Sequence, residues 1–164
     1  MPNEVYVLVE KKKPLVLVIL TNVVLVLALA SVVINFMAPV ILLVPVLLLI
    51  IWWFLKYRTY REFEYTYYDG ELKFVCIKNK ARRKGLKKLD MEHVVAIAPA
   101  GDRSMYRYEN GDAGKILDYS SRQADVKVYE LVYNNEEGSI LIKFEPDDKM
   151  LDAICYKYSS KVVR

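Results

Sequence analysis

The sequence predicts a pair of membrane helices followed by a mainly β domain that ends in a helix. Three observations support this fold class. Residues 14–55 contain no charged side chain, which is typical of a segment that lies in lipid. Alternating patterns and turn signals then predict six or seven short antiparallel strands over residues 60–144. Apolar residues recur at helical spacing after Pro146, so one amphipathic helix closes the chain.

The uncharged segment is too long for one span. A bilayer core takes about 20 helical residues, so residues 14–55 suit two helices. The natural break runs from Asn35 to Pro39, because proline fits the first turn of a helix better than its interior. We therefore predict a membrane hairpin over 14–56, with helices at about 15–35 and 39–55, a tight turn between them and a kink at Pro45.

A cleaved signal peptide is the competing interpretation of the same segment. The lysines at 11–13, the apolar run and the Ala28-Leu29-Ala30 stretch resemble the three regions of such a leader. The apolar run continues far beyond residue 30, which a cleaved leader does not need. The hairpin is therefore favoured, and under either interpretation one span remains before the C-terminal domain.

Basic residues flank both predicted helices and set the expected orientation. They are Lys11, Lys12 and Lys13 before the first helix and Lys56, Arg58 and Arg61 after the second. Because basic flanks stay in the cytoplasm, we expect a multi-pass protein of the cell membrane with both termini cytoplasmic. The aromatic side chains of Trp52, Trp53 and Tyr57 are the predicted interface anchors.

Asn22 and Ser31 are the candidate packing residues within the helices. A polar side chain in hydrocarbon needs a hydrogen-bond partner, and such groups often join helices. The partner of Asn22 can lie in the hairpin or in a second copy of the chain, so a homo-oligomer is among the expected partners. Thr21, Ser31 and Asn35 can instead bond to carbonyls of their own helix or reach the interface.

The chain of 164 residues divides into three parts. Residues 1–13 are a cytoplasmic N-terminal tail, 14–56 the hairpin, and 57–164 one cytoplasmic domain. The tail contains a β-prone patch at 5–10, which is as compatible with a strand as with a solvated tail. The formal charge is +4, and the two cysteines have no paired or metal-ligand spacing, which suits a reducing cytosol.

Strand and turn signals follow one another through the domain. Asp69-Gly70 predicts a type I′ turn between the first two strands. Leu86 and Leu89 break the alternation of the third strand, which predicts a bulge at Gly85 or its neighbours. Further strands are predicted at 93–98, 126–133 and 139–144. Residues 100–125 hold three of the six glycines, so we expect a long mobile loop there, with room for a short strand near 115–119.

Five stretches of the chain resemble a family of small uncharacterised integral membrane proteins of Gram-positive bacteria. They are residues 68–72, 79–80, 89–92, 118–121 and 144–146. This resemblance implies a pleckstrin-homology-like (PH-like) domain after a membrane hairpin, with a partly open antiparallel barrel and a C-terminal helix packed into it. Met150, Leu151 and Ile154 are then expected to lie against the strands. The contacts expected there are Phe63, Leu72, Phe74 and Ile142.

A basic cluster is the candidate binding site. Its members are Lys78, Lys80, Arg82, Arg83, Lys84, Lys87 and Lys88. Anionic lipid attracts each such charge by about 1 kcal/mol near a membrane surface, so the cluster can contact the inner leaflet or an acidic protein. An ordinary solvated hairpin that reinforces topology explains it equally well. No nucleic-acid partner is expected, because no aromatic platform interleaves the charges.

No catalytic residue, metal ligand or cofactor site is predicted. His93 is the only histidine, Ser120 and Ser121 lack a nucleophile elbow, and residues 110–112 lack the carboxylate spacing of a calcium loop. The expected function is therefore that of a non-enzymatic, membrane-anchored binding or adaptor protein. The alternative is a small regulatory or pore-forming subunit of a membrane transport complex.

Overall fold

The computed structural model describes residues 4–37, 43–58, 60–136 and 138–163. Within these ranges the helices are α1 (Leu15–Met37), α2 (Leu43–Arg58) and α3 (Asp148–Tyr158). The strands are β1 (Val5–Glu10), β2 (Arg61–Tyr68), β3 (Glu71–Lys78), β4 (Arg82–Asp90), β5 (Val94–Pro99), β6 (Lys115–Asp118), β7 (Tyr129–Asn135) and β8 (Gly138–Phe144). Short 3₁₀ turns lie at Met91–His93 and Ser159–Lys161.

The strands form two four-stranded sheets. The first has the order β1-β2-β3-β4 and the second the order β5-β7-β8-β6. Because the two sheets are separately hydrogen-bonded, the predicted partly open barrel is not confirmed. The prediction that all strands are antiparallel is wrong for β6, which runs parallel to β8. β6 lies on the far side of β8 from β7. Because β8 is antiparallel to β7, β6 also runs in the direction opposite to β7.

The N-terminal segment is a strand of the first sheet. β1 pairs with β2 along its whole length, from Val5 opposite Tyr67 to Glu10 opposite Glu62, and Val9 is buried in the core. Both helices are therefore inserted between two neighbouring strands. The predicted tail at residues 1–13 thus contains a strand of the first sheet, which is one of the two alternatives given above for residues 5–10.

Two local predictions for the first sheet are confirmed, the turn between β2 and β3 and the bulge in β4. Asp69 and Gly70 have φ values of 45° and 87°, as a type I′ turn requires. A Cβ atom on Gly70 would lie 2.7 Å from the Tyr158 hydroxyl, so a larger residue there would also displace the Tyr158 side chain. The β3–β4 register shifts opposite Gly85, where the bulge was expected.

One hydrophobic core joins the two sheets and α3. Met150, Leu151 and Ile154 are buried, in one cluster with the expected contacts Phe63, Leu72, Phe74 and Ile142, so the predicted packing of the C-terminal helix is confirmed. The Asp147 carboxylate starts α3 by accepting the Met150 N–H at 2.8 Å, as an N-cap does. Each large side chain buried here contributes about 1.5–3 kcal/mol.

Residues 100–114 form an ordered strap across the outer face of the second sheet. Met105 and Tyr108 are buried there with Ala98, Val132 and Leu141, and a π-helical turn covers Tyr108–Asp112. The predicted long mobile loop is therefore wrong over the strap, whereas the predicted short strand is present as β6. Two buried side chains among polar ones leave no periodic pattern in the sequence, which explains the difference.

α1 and α2 pack on each other and are otherwise exposed. α1 is long and apolar enough to cross a membrane over Leu15–Phe36, whereas the described apolar part of α2, Leu43–Tyr57, is shorter. The predicted helix start at 39 and the tight turn lie outside the described residues. So does residue 41, whose carbonyl would face Pro45 at the predicted kink. The structure thus provides one candidate span by length and composition.

Candidate functional site

The basic cluster begins beside the connection from α2 to β2. The Asn79 N–H donates to the Tyr60 carbonyl at 3.1 Å, and the Lys80 ammonium lies 5.0 Å from the centroid of the Tyr60 ring. The β3–β4 turn is therefore at the end of the first sheet from which both helices emerge. We call this end the helix-proximal end.

Three cations face one another across the strands at the helix-proximal end. Arg61 on β2 is opposite Lys78 on β3, and Lys78 is opposite Arg82 on β4. All three side chains are exposed, and none forms an ion pair with an acid among the described residues. Like charges directly opposite each other destabilise a sheet, so folding alone does not account for this row.

The structure does not bring the seven predicted cations into one patch. Lys88 lies toward the opposite end of β4, where its ammonium is 2.6 Å from Glu71. Arg83 lies 3.4 Å from the nearly buried Glu64 carboxylate. Lys87 is half-buried opposite Phe74. The members at the helix-proximal end without an acidic partner among the described residues are Lys78, Lys80, Arg82 and Lys84.

The segment between β1 and α1 adds cations at the same end. The Lys11 N–H donates to the Arg61 carbonyl at 3.0 Å, and the Lys12 N–H donates to the Ser121 carbonyl at 2.8 Å. The sequence predicts the Lys11–Lys13 run and Arg61 only as markers of orientation, and it does not predict Arg122 as a neighbour of them. The joining contacts link residues 50 or more positions apart, so no local pattern indicates them.

The family follows from a comparison with known proteins. Residues 3–164 match the family model described as Bacterial PH-like domain (DUF6106). The chain belongs to this family. The match covers nearly the whole chain, so the resemblance to PH-like domains is confirmed, while the Gram-positive membrane family proposed from the sequence is not. No curated protein and no solved structure matches the chain.

The serines and the histidine of the PH-like domain have structural partners. The Ser121 hydroxyl and N–H both donate to Glu145 Oε1, at 2.8 and 2.7 Å, and the Ser120 hydroxyl donates to Asp118 at 2.6 Å. His93 lies against the Tyr133 ring. In the part of the chain that the structure describes, no group of three His, Cys, Asp or Glu side chains could hold a metal ion.

A buried ion cluster on the second sheet is absent from the sequence-based predictions. Glu130 on β7 is completely buried, with one carboxylate oxygen 2.7 Å from the Lys143 ammonium on β8. Glu109 of the strap lies 3.5 Å from the same ammonium. Burial raises the pKa of Glu130, and the hydrogen bond to Glu130 raises the pKa of Lys143. The cluster ties the strap to the sheet.

The two candidate packing residues of α1 have different surroundings. Ser31 is half-buried, and its hydroxyl donates to the Ala28 carbonyl at 2.7 Å, which is the back-bonding alternative. Ser31 belongs to a stripe of partly or fully buried residues that faces α2: Leu17, Thr21, Val24, Ala28 and Ser31. Asn22 is exposed at the edge of this stripe, where it lines a cavity with Thr21 and Trp52, and it has no hydrogen bond to a described residue.

The predicted interface anchors also divide into two groups. Trp53 and Tyr57 are more than half exposed, and their rings lie 5.5 Å apart between centroids. Trp52 is half-buried between the helices, with the Lys56 ammonium 4.7 Å from its ring. Trp53 and Tyr57 thus present the aromatic surface that a membrane interface favours.

Proposed function

We propose that this protein is a membrane-anchored, non-enzymatic adaptor that presents its PH-like domain at the cytoplasmic face of the cell membrane. In this proposal α1 and α2 both cross the bilayer as a hairpin, and both termini are cytoplasmic. The apolar, exposed surface of α1 and the aromatic pair Trp53 and Tyr57 support the anchoring role. The helix-proximal end of the first sheet then faces the inner leaflet.

The row formed by Arg61, Lys78 and Arg82 carries this proposal. These cations repel one another within the domain, so an external anion would stabilise them. A cytoplasmic leaflet with anionic lipids attracts each charge by about 1 kcal/mol, and the position of the row next to the helices favours lipid over an acidic protein partner. Lys80 and Lys84 would add to the same attraction.

The topology is tested by labelling single cysteines in whole cells with a membrane-impermeant maleimide. In a Cys155→Ser background, Lys88→Cys and Lys157→Cys should react only after permeabilisation, whereas Met37→Cys should react in intact cells. The remaining Cys76 is buried and serves as the unlabelled control. Labelling of position 88 but not of position 37 in intact cells would overturn the arrangement.

A second candidate function is a regulatory or pore-forming subunit of a transport complex, and Asn22 is the observation that favours it. Its amide is exposed and bonds to no described residue, so its hydrogen-bond partner in lipid would come from a second copy or another protein. Crosslinking of Asn22→Cys in membranes separates the two functions: a discrete homo-oligomer supports the transport subunit, and a monomer supports the adaptor. Two uncharged helices are poorly suited to line an ion path alone.

A further inference from the structure

A cavity of about 690 Å³ lies where the two helices meet the domain. Five cationic side chains line it: Lys11, Lys12, Lys13, Arg61 and Arg122. None of its described lining residues is acidic. The cavity is within the range of about 300–1,000 Å³ that small-molecule sites occupy, and its charge selects an anion.

The other wall of the cavity is apolar. It consists of Leu15 and Leu17 in the first turn of α1 and Phe54 and Leu55 near the end of α2. A phosphate or another small soluble anion would leave this wall in water. A ligand that combines an anionic group with hydrocarbon chains would cover both walls at once.

The cationic wall is held in place by the domain. Backbone hydrogen bonds fix Lys11 to Arg61 and Lys12 to Ser121, and Ser121 is itself held by the buried Glu145. Next to it, Arg122 has a φ of 63°, which few residues other than glycine adopt. The backbone that carries these cations is therefore arranged before any ligand arrives, and such preorganisation lowers the entropic cost of binding.

The protein neutralises the positive charge of the cavity only in part, because Arg122 alone of the five cations forms an ion pair with a described acid, Asp118. Burial and the neighbouring charges of Arg122 and Arg61 lower the pKa of Lys11, and Asp118 opposes them only in part. Asp118 is already engaged, because it accepts hydrogen bonds from Arg122 at 2.7 Å and from the Ser120 hydroxyl at 2.6 Å. An anion in the cavity would thus meet an excess of donors.

We propose that this cavity binds one anionic diacyl phospholipid from the inner leaflet. Its phosphate would contact Lys11, Arg61 and Arg122, and its acyl chains would lie along Leu17 and Phe54. The proposal rests on the proposed function, because it requires the helices to lie in the membrane. It assigns a lipid-binding role to residues outside the basic cluster of β3 and β4.

The test uses the full-length protein in a neutral detergent, titrated with palmitoyl-oleoyl phosphatidylglycerol and followed by native mass spectrometry. Substituting Lys11 and Arg61 together with glutamine should weaken phosphatidylglycerol binding about tenfold or more, because two charge-assisted contacts are lost. The matched control, Lys127→Gln with Lys149→Gln, removes the same charge at exposed positions outside the cavity lining and should change binding less than about twofold. Lys11→Arg with Arg61→Lys keeps the charge and should retain most of the binding.

Three results would overturn the proposal. In the first, the Lys11 and Arg61 variant binds phosphatidylglycerol as tightly as its control does. In the second, the wild-type protein binds phosphatidylcholine as tightly as phosphatidylglycerol. In the third, an equal concentration of glycerol 1-phosphate displaces phosphatidylglycerol. Carbonate extraction of the membranes from which the protein is purified distinguishes a failure of the lipid-binding cavity from a failure of the proposed membrane anchor. A protein that carbonate removes contradicts the anchor itself, whereas a retained protein without lipid preference contradicts the cavity site alone.

Discussion

The two sheets of the PH-like domain treat their cations in opposite ways. The first sheet places Arg61, Lys78 and Arg82 opposite one another, exposed and without acidic partners among the described residues. The second sheet pairs Lys143 with Glu130 and Glu109 beneath the strap. We infer that the charges of the second sheet hold the fold together. Those of the row on the first sheet remain available to a partner outside the fold, whereas Lys73, Arg83 and Lys88 of the same sheet are paired with acids.

The greatest change in stability should come from Lys143. Lys143→Met removes the cation beside a completely buried carboxylate, and breaking a buried pair on one side costs about 3–5 kcal/mol. We therefore expect the free energy of unfolding at pH 7 to fall by that amount. Denaturant unfolding of the full-length protein in detergent, followed by the tyrosine fluorescence of the domain, measures this change in free energy.

Arg82→Met is the matched control on the first sheet. Its side chain is exposed and opposite another cation, so the free energy of unfolding should change by less than about 0.5 kcal/mol. A loss as large as that of Lys143→Met would show that the row at the helix-proximal end stabilises the fold, and the contrast between the sheets would disappear.

The sequence predicts local features of the first sheet well and its distant contacts poorly. The Asp69-Gly70 turn, the bulge at Gly85 and the extent of α1 each follow from adjacent residues, and the structure shows all three. The pairing of β1 with β2 joins strands separated by the two helices, and its alternation alone is equally typical of a solvated tail. The strap is missed because its sequence is also ambiguous: only Met105 and Tyr108 bury their side chains, and two buried positions make no periodic pattern.

The second prediction compares the two ends of the basic cluster. An environment-sensitive fluorophore is attached to Lys78→Cys or to Lys87→Cys in a Cys155→Ser background, and the protein is placed in nanodiscs. The positions lie about 13 Å apart along the strands. With anionic nanodiscs the probe at 78 should report lipid contact, and this signal should weaken with salt, because exposed charges are screened beyond about 8 Å at physiological salt.

Neutral nanodiscs and charge reversal are the controls for this comparison. Neutral lipid should give no contact signal at 78, and changing Arg82, Arg83 and Lys84 to glutamate should abolish the signal in anionic lipid. A probe at 87 that responds as strongly as the probe at 78 would contradict the orientation of the domain. No response at either position would leave the basic cluster as a solvated, topology-setting surface.

The site was predictable only in part, because sequence proximity groups charges that the sheet separates. Lys78 and Lys88 are close in the chain, but the β3–β4 hairpin sends them toward opposite ends, and Glu71 neutralises Lys88. Conversely, Arg122 is distant in sequence from Lys11 and reaches it only through the hydrogen bonds of Ser121. Charge counts along the chain therefore predict a basic surface but not its members.

The weakest effect should be a pH dependence whose sign differs between the sheets. Burial raises the pKa of Glu130 above its usual 4.5, so the folded state favours its protonated form. Its contribution to stability is complete below about pH 4.5 and is lost as pH rises through the folded pKa. Compared with Glu130→Gln, the wild-type protein should therefore become less stable as the pH rises above about 4.5.

Glu71 on the first sheet should show the opposite sign. The hydrogen bond from Lys88 lowers the pKa of Glu71, so its contribution is present above its unfolded pKa and is lost as pH falls through the folded value. Relative to Glu71→Gln, the wild-type protein should gain stability from pH 3 to pH 6. Denaturant midpoints of the three proteins across these ranges measure both trends. The two glutamine substitutions should shift the pH dependence of stability in opposite directions. A shift in the same direction would show that the buried Glu130–Lys143 pair and the exposed Glu71–Lys88 pair do not differ, and would contradict the contrast between the sheets.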